Sequence, residues 1–170
     1  MREHDGVTES DDLAALARGI IDANLYMTLG TADGYGLPWA SPVYFSHSGY
    51  REFLWISKPE ARHSENIAVR PEVSLVIFDS RVTPGSGRAV YADARAEELT
   101  DSDEFDRCLD AYNSRFEDPE AHNLSVFAPE AVRPGALHRL YRATAIDLFT
   151  LDPEGHPDGR GGDHRAPVEP

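Results

Sequence analysis

At 170 residues with a mean hydropathy of −0.46, the chain is long enough to bury a core as one domain without disulfide staples. Its formal net charge of −14 repels phosphate backbones, which argues against duplex nucleic acid as a partner. No apolar run approaches the roughly 20 residues of a membrane helix, and the charged opening MREHDGVTESDD is not a signal peptide, so a cytoplasmic protein is expected.

Residues 1–9 read as an acidic lead-in. Ser10 then caps a helix, with Asp11 and Asp12 in its first turn, and Leu13, Leu16, Ala17, Ile20 and Ile21 recur at helical period until about Asn24. Tyr26 to Thr31 is a short β run. Asp33-Gly34-Tyr35-Gly36 is a turn, Pro38 to Phe45 a second strand, Ser48-Gly49 another turn and Phe53 to Ile56 a third strand, with the spacing of antiparallel hairpins. Pro59 and Glu60 favour a short helix that runs to about Val69 and stops before Pro71.

Val73 to Phe78 is a buried strand, 79–87 a Gly/Pro loop, and Arg88 to Leu99 strand again. Thr100 caps a second long helix whose apolar face is Phe105, Cys108, Leu109 and Tyr112. Cys108 is the single cysteine, so it forms no internal disulfide and reads as core packing. Residues 118–135 are irregular, Leu137 to Leu151 is the last strand, and 153–170 form a tail that is flexible unless a partner surface or ligand holds it. About six strands, two longer helices and one short one, without βαβ alternation, specify a mainly β (α+β) antiparallel barrel with peripheral helices over residues 10–152.

The chemistry concentrates where the third strand passes into the short helix, at Ser57-Lys58-Pro59-Glu60-Ala61-Arg62-His63-Ser64. N–H groups at a helix start lack intrahelical partners and carry partial positive charge. Arg62 adds a bidentate fork, and Ser57 and Ser64 add hydroxyl donors. Lys58 is the sole lysine, against fifteen arginines, so Lys58, Arg62 and His63 make a local positive cluster in an acidic chain. The same residues also fit a solvated helix start with Arg62 paired to Glu65 or Glu60. Pro42 has two readings as well: an interrupted ladder that frees backbone groups for a planar ligand, or an edge strand.

These segments in series resemble the pyridoxamine 5'-phosphate oxidase-like, FMN-binding split-barrel proteins. The resemblance is carried by Gly36–Phe45, Phe53–Ser57, Ala61–Ile67 and Arg70–Phe78, with a weaker match at Gly87–Leu99, about two thirds of the chain. It implies a split barrel that forms a homodimer with FMN between subunits and acts on a small-molecule substrate. Ser41, Pro42 and Val43 would edge the isoalloxazine, Ile56 and Ser57 would lie near ribityl and phosphate, and Arg62, His63 and Ser64 would grip the phosphate. Arg88 would reach the flavin from the partner subunit. Many members have Lys where this chain has His63, a weaker partner when neutral, so a lower and pH-dependent phosphate affinity is expected.

True pyridoxamine 5'-phosphate oxidases end in an Arg- and Trp-rich segment, whereas this chain has no tryptophan after Trp55, so vitamin B6 oxidation is not expected. Arg142 or Arg165 could meet a substrate anion, although a plain surface charge is the favoured reading of both. The expected activity is hydride transfer at flavin N5, with no side-chain nucleophile required and no catalytic residue assigned. A deazaflavin (F420) is the rival cofactor, and a non-catalytic flavin- or haem-binding barrel the rival role. The seven histidines show no metal-ligand spacing, no G-x-S-x-G elbow occurs, and Gly85-Ser86-Gly87 lacks the rest of a nucleotide fingerprint.

Overall fold

Hydrophobic alternation in the middle of the chain builds one antiparallel sheet. The computed structural model describes residues 9–83, 85–100, 102–115, 126–152 and 164–170. Its elements are α1 (Glu9–Ala23), β1 (Tyr26–Ala32), β2 (Pro38–Tyr44), β3 (Ser46–Ser48), β4 (Glu52–Ser57), α2 (Arg62–Val69), β5 (Glu72–Phe78), β6 (Ala89–Glu98), α3 (Ser102–Ser114), β7 (Arg139–Leu151) and β8 (Arg165–Pro167). The strand order is β2-β1-β5-β6-β7-β4-β3, and β8 pairs with β7. The sheet's two ends, β2 and β3, are separated in sequence by Phe45 alone, so the sheet curls back on itself as a half-closed barrel. No ladder joins β2 to β4, and this leaves a seam.

Two apolar clusters hold the sheet. Met27, Leu29, Phe53, Trp55, Leu75 and Ile77 point into the barrel, and Ala17 and Ile21 of α1 pack against them. Leu54 and Leu140 point the other way, under Phe105, Cys108, Leu109 and Tyr112 of α3. This explains why β4 reads as an unbroken apolar run: strand neighbours face opposite sides, and here both sides are covered. Opposite Asp93 and Ala94 the register of β7 shifts past Ile146, a bulge that leaves Ile146 exposed.

The α1 C-terminus is tied down from a distance. The Arg115 guanidinium donates to the Ile21 and Asn24 carbonyls, which satisfies groups the last helical turn leaves open.

The split barrel expected from the sequence is present, with eight strands in place of about six. The two additions are short. The Ser48-Gly49 turn is a hairpin of its own: Gly49 (φ 57°) and Tyr50 (φ 58°) both adopt the left-handed conformation, and Arg51 N–H donates back to the Ser48 carbonyl at 3.3 Å. Tyr50 is held there by a 3.0 Å hydrogen bond from its hydroxyl to Asp22 and a stack on His47.

At the C-terminus, Arg165–Pro167 pair with Phe149–Leu151, and Ala166 and Val168 are buried. The surface that holds this part of the tail is therefore the chain's own sheet. Residues 1–8 of the lead-in, 116–125, and 153–163 of the tail lie outside the described residues. Among the described residues no helix is long and apolar enough to cross a membrane.

Phe105 is fully packed on the buried face of α3, so Phe105→Ala should cost about 3–5 kcal/mol of stability, the scale of a large core truncation, read as a lower urea midpoint at unchanged m-value.

Candidate functional site

The short helix starts later than the sequence suggests. Lys58 to Ala61 form a tight turn closed by Ala61 N–H donating to the Lys58 carbonyl at 3.1 Å, with Pro59 at its second position. Helix α2 begins at Arg62, and Ala61 supplies no side-chain cap. Arg62, His63 and Ser64 are thus its first three residues, whose N–H groups have no intrahelical acceptor.

Buried contacts set the helix on the sheet. Ile67 enters the core, and Asn66 Nδ2 donates to Thr31 Oγ1 at 2.9 Å with both groups buried. Farther along, Arg70 Nε donates to the Asp33 carbonyl at 3.2 Å.

This docking places His63 in the seam. Its Nδ1 lies 3.2 Å from Ser41 Oγ of β2 and its Nε2 lies 2.8 Å from Ser57 Oγ of β4. The ring therefore spans two strands that share no ladder. Burial pushes its pKa below the ordinary 6.5, so it is neutral at pH 7. Trp39 Nε1 donates to the same Ser41 hydroxyl at 3.0 Å, and the Arg62 guanidinium lies over the Trp39 ring at 4.3 Å. Among the described residues no ion pair joins Arg62 to Glu60 or Glu65. The guanidinium edge stays exposed on a flat aromatic support.

Four of the residues singled out from the sequence, Ser41, Ser57, Arg62 and His63, meet at this point. The others are placed differently. Ile56 packs on the α3 side, and the Val43 side chain is buried in the barrel, so only its backbone faces the edge. The β1–β2 register runs unbroken through Thr28 and Pro42. Pro42 therefore sits in an edge strand and does not interrupt a ladder. Ser64 is buried and faces a separate cavity of about 260 Å³ shared with Tyr141 and Ala96.

Arg88 lies near Phe78 and Tyr91, where β6 begins, and bonds the Gly87 carbonyl; within one chain it does not join the others. Trp39 was missed by sequence reasoning. The available signal was its i, i+2 spacing to Ser41, which puts both on one face of a strand.

Beside Trp39 a shallow groove of about 600 Å³ runs along the outer sheet face over Gly30, Ala40 and Ser74. A Cβ at Gly30 would lie 2.6 Å from Ser74 Oγ, so a larger residue there would force that hydroxyl to rotate away. The groove continues toward Tyr91, over whose ring the Arg165 guanidinium sits at 4.1 Å. His164 Nδ1 meets Asp152 at 3.3 Å, while Asp163 lies outside the described residues.

Arg142 is committed elsewhere. It pairs with Glu52 at 2.9 Å, Glu97 at 2.6 Å and also Glu104, and Arg107 adds two contacts to Glu52. Ligand-type atoms of Glu52, Glu104 and Cys108 cluster within 4.8 Å, but the two guanidinium groups already neutralise the carboxylates. Arg107 hydrogen bonding holds the Glu52 carboxyl below its ordinary value, and Arg142, then Arg107, does the same for Glu104.

Both shifts are downward, so this stabilisation is complete above the ordinary 4.5 and is lost as pH falls through the depressed values. Urea midpoints should drop as pH falls below about 4.5, and Arg142→Met, less stable at neutral pH, should lose less over the same fall.

The pyridoxamine 5'-phosphate oxidase family profile matches residues 13–136. No curated protein matches the sequence. Among solved structures, a haem-binding protein from Mycobacterium smegmatis superposes with TM-score 0.67 at 20% identity. The match covers 95% of this chain and 60% of that one, so this chain spans less than two thirds of that relative. HutZ, the haem storage protein of Vibrio cholerae, gives 0.61 at 19% identity, with 81% and 93% covered. An FAD-binding protein from Mesorhizobium loti gives 0.59 at 21% identity, with 81% and 92% covered. At these identities the superpositions speak for the fold.

Proposed function

The chain belongs to the pyridoxamine 5'-phosphate oxidase family, and we propose that it binds FMN at the β2–α2–β4 seam as a flavin-dependent oxidoreductase of a small molecule. The observation that carries this reading is the convergence of Arg62, His63, Ser41 and Ser57 on one point at the open seam between β2 and β4. Their chemistry fits a phosphate: a guanidinium with no competing carboxylate, two hydroxyls and the free N–H groups of a helix start. The bound flavin would supply hydride transfer at N5.

The chain's own residues do the holding. Arg62 and the serines anchor the phosphate end, and the backbone edge of Ser41 to Val43 borders the ring. Trp39 keeps Arg62 in place. The net charge of −14 favours FMN over F420, whose acidic tail calls for a basic groove.

A second reading, haem binding, is supported by the two haem proteins among the structural relatives. A visible spectrum separates the three. Bands near ~450 nm indicate flavin, near ~420 nm a deazaflavin, and a sharp Soret band haem. A protein that stays colourless when mixed with FMN would end the flavin reading. Arg62→Ala should weaken FMN binding by roughly 1.5–3 kcal/mol, measured by fluorescence quenching, the scale of a charged hydrogen bond.

The outer sheet face supports a homodimer. Val76, Tyr91 and Phe149 share one row across β5, β6 and β7, and Tyr26, Phe78 and Ile146 are exposed large apolar residues. Sedimentation should give a dimer at micromolar concentration, and Val76→Glu, which places a charge in that row, should give a monomer.

A further inference from the structure

We propose that His63 makes this site a proton-coupled receptor for a phosphomonoester: the dianion binds between Ser41 and Ser57 together with one proton taken up on the imidazole. The inference rests on the flavin-phosphate reading above and adds the regulation of that site.

Donor counting carries the argument. Both ring nitrogens are engaged, Nδ1 by Ser41 Oγ at 3.2 Å and Nε2 by Ser57 Oγ at 2.8 Å. A neutral imidazole has one N–H and one lone pair. One serine must therefore give its hydroxyl proton to the ring while the other accepts from it, which leaves a single hydroxyl proton to offer a ligand. Ser41 Oγ also accepts from the Trp39 indole, which can only donate, so that bond does not change the count. When the ring is protonated both nitrogens donate, and both serines turn their hydroxyl protons outward. The site then gains a donor and a positive charge in one step, which is what an acceptor-only dianion needs.

No neighbouring charge among the described residues stabilises a protonated ring before the ligand arrives. From α2 itself come Arg62, set on Trp39, and Glu65, which is exposed; the turn before it carries Lys58 and Glu60. Strand β2 has no titratable group between Pro38 and Val43. Arg139 of β7, opposite Ser57, is tied to Glu98 at 3.1 Å. On β6, Glu97 is held by Arg142 and Arg95 by Glu72, and from the β1 end Asp33 offers Arg70 its backbone carbonyl. No carboxylate pairs with the imidazole among the described residues, and burial keeps it neutral.

An arriving dianion is the first counter-charge the ring meets, and it raises the ring's pKa. Between the free and bound values, binding takes up a proton, and affinity falls by up to about tenfold per pH unit. The phosphate does not contribute this proton at pH 7.5, because its own second pKa lies near ~6.

The test is calorimetry of FMN binding to the full chain at pH 7.5 in two buffers of different ionisation enthalpy, with riboflavin as the phosphate-free probe. Wild type should take up a proton, up to one per FMN, and none with riboflavin. His63→Lys should bind FMN with no uptake. Its affinity should stay within about twofold from pH 7 to 8.5, whereas the wild type weakens at least fivefold. FMN binding by wild type without proton uptake, or the same uptake in His63→Lys, would overturn this inference and leave the flavin reading standing. Failure to bind FMN anywhere from pH 6 to 9 would overturn both.

Discussion

Between β2 and β4 no backbone ladder closes the barrel, and side chains from α2 span the gap instead. The rest of the arrangement follows from that break. A fully hydrogen-bonded barrel would spend its edge groups on itself. An open seam leaves polar groups at the rim, and something must satisfy them. Here His63 does so from a helix start that is itself rich in free donors. The opening that the sheet leaves unclosed is thus where hydroxyl and helix-start donors gather, the chemistry that the proposed phosphate site needs.

The helix can serve this purpose because its seating does not depend on its first turn. Asn66 and Ile67, one turn later, are buried against β1 and the core. Arg70 holds the far end. The residues that make α2 stable are therefore separate from those that face the seam, and Arg62 and His63 can vary without unseating the helix.

Charge is distributed to the same effect. The chain is strongly acidic overall, yet Glu52, Glu97 and Glu104 are gathered around Arg142 and Arg107 on the α3 side. Around the seam Lys58 and Arg62 have no such partners among the described residues, and His63 is neutral. One arginine cluster holds the outer helix to the sheet, and one arginine stays on an aromatic ring where a ligand can reach it.

Local pattern was enough for the antiparallel strands, the three helices within a few residues of their ends, and the helix start as the place where donors gather. Alternation, Gly/Pro punctuation and helical spacing act over a few residues and can be read from a single chain. The short β3 and β8 were not legible, since strands of three residues carry no period and exist only because neighbouring strands offer free edges. The Pro42 ambiguity was also beyond local reading. Whether a strand is central or at an edge depends on what pairs beside it.

Arg62 and His63 stood out by type. That His63 joins Ser41 to Ser57, across 22 and 6 residues of sequence, while Ser64 turns away into another cavity, was decided only when α2 docked on β1. Long-range closure of the sheet sets which side of a helix start faces the seam, and no local propensity carries that information.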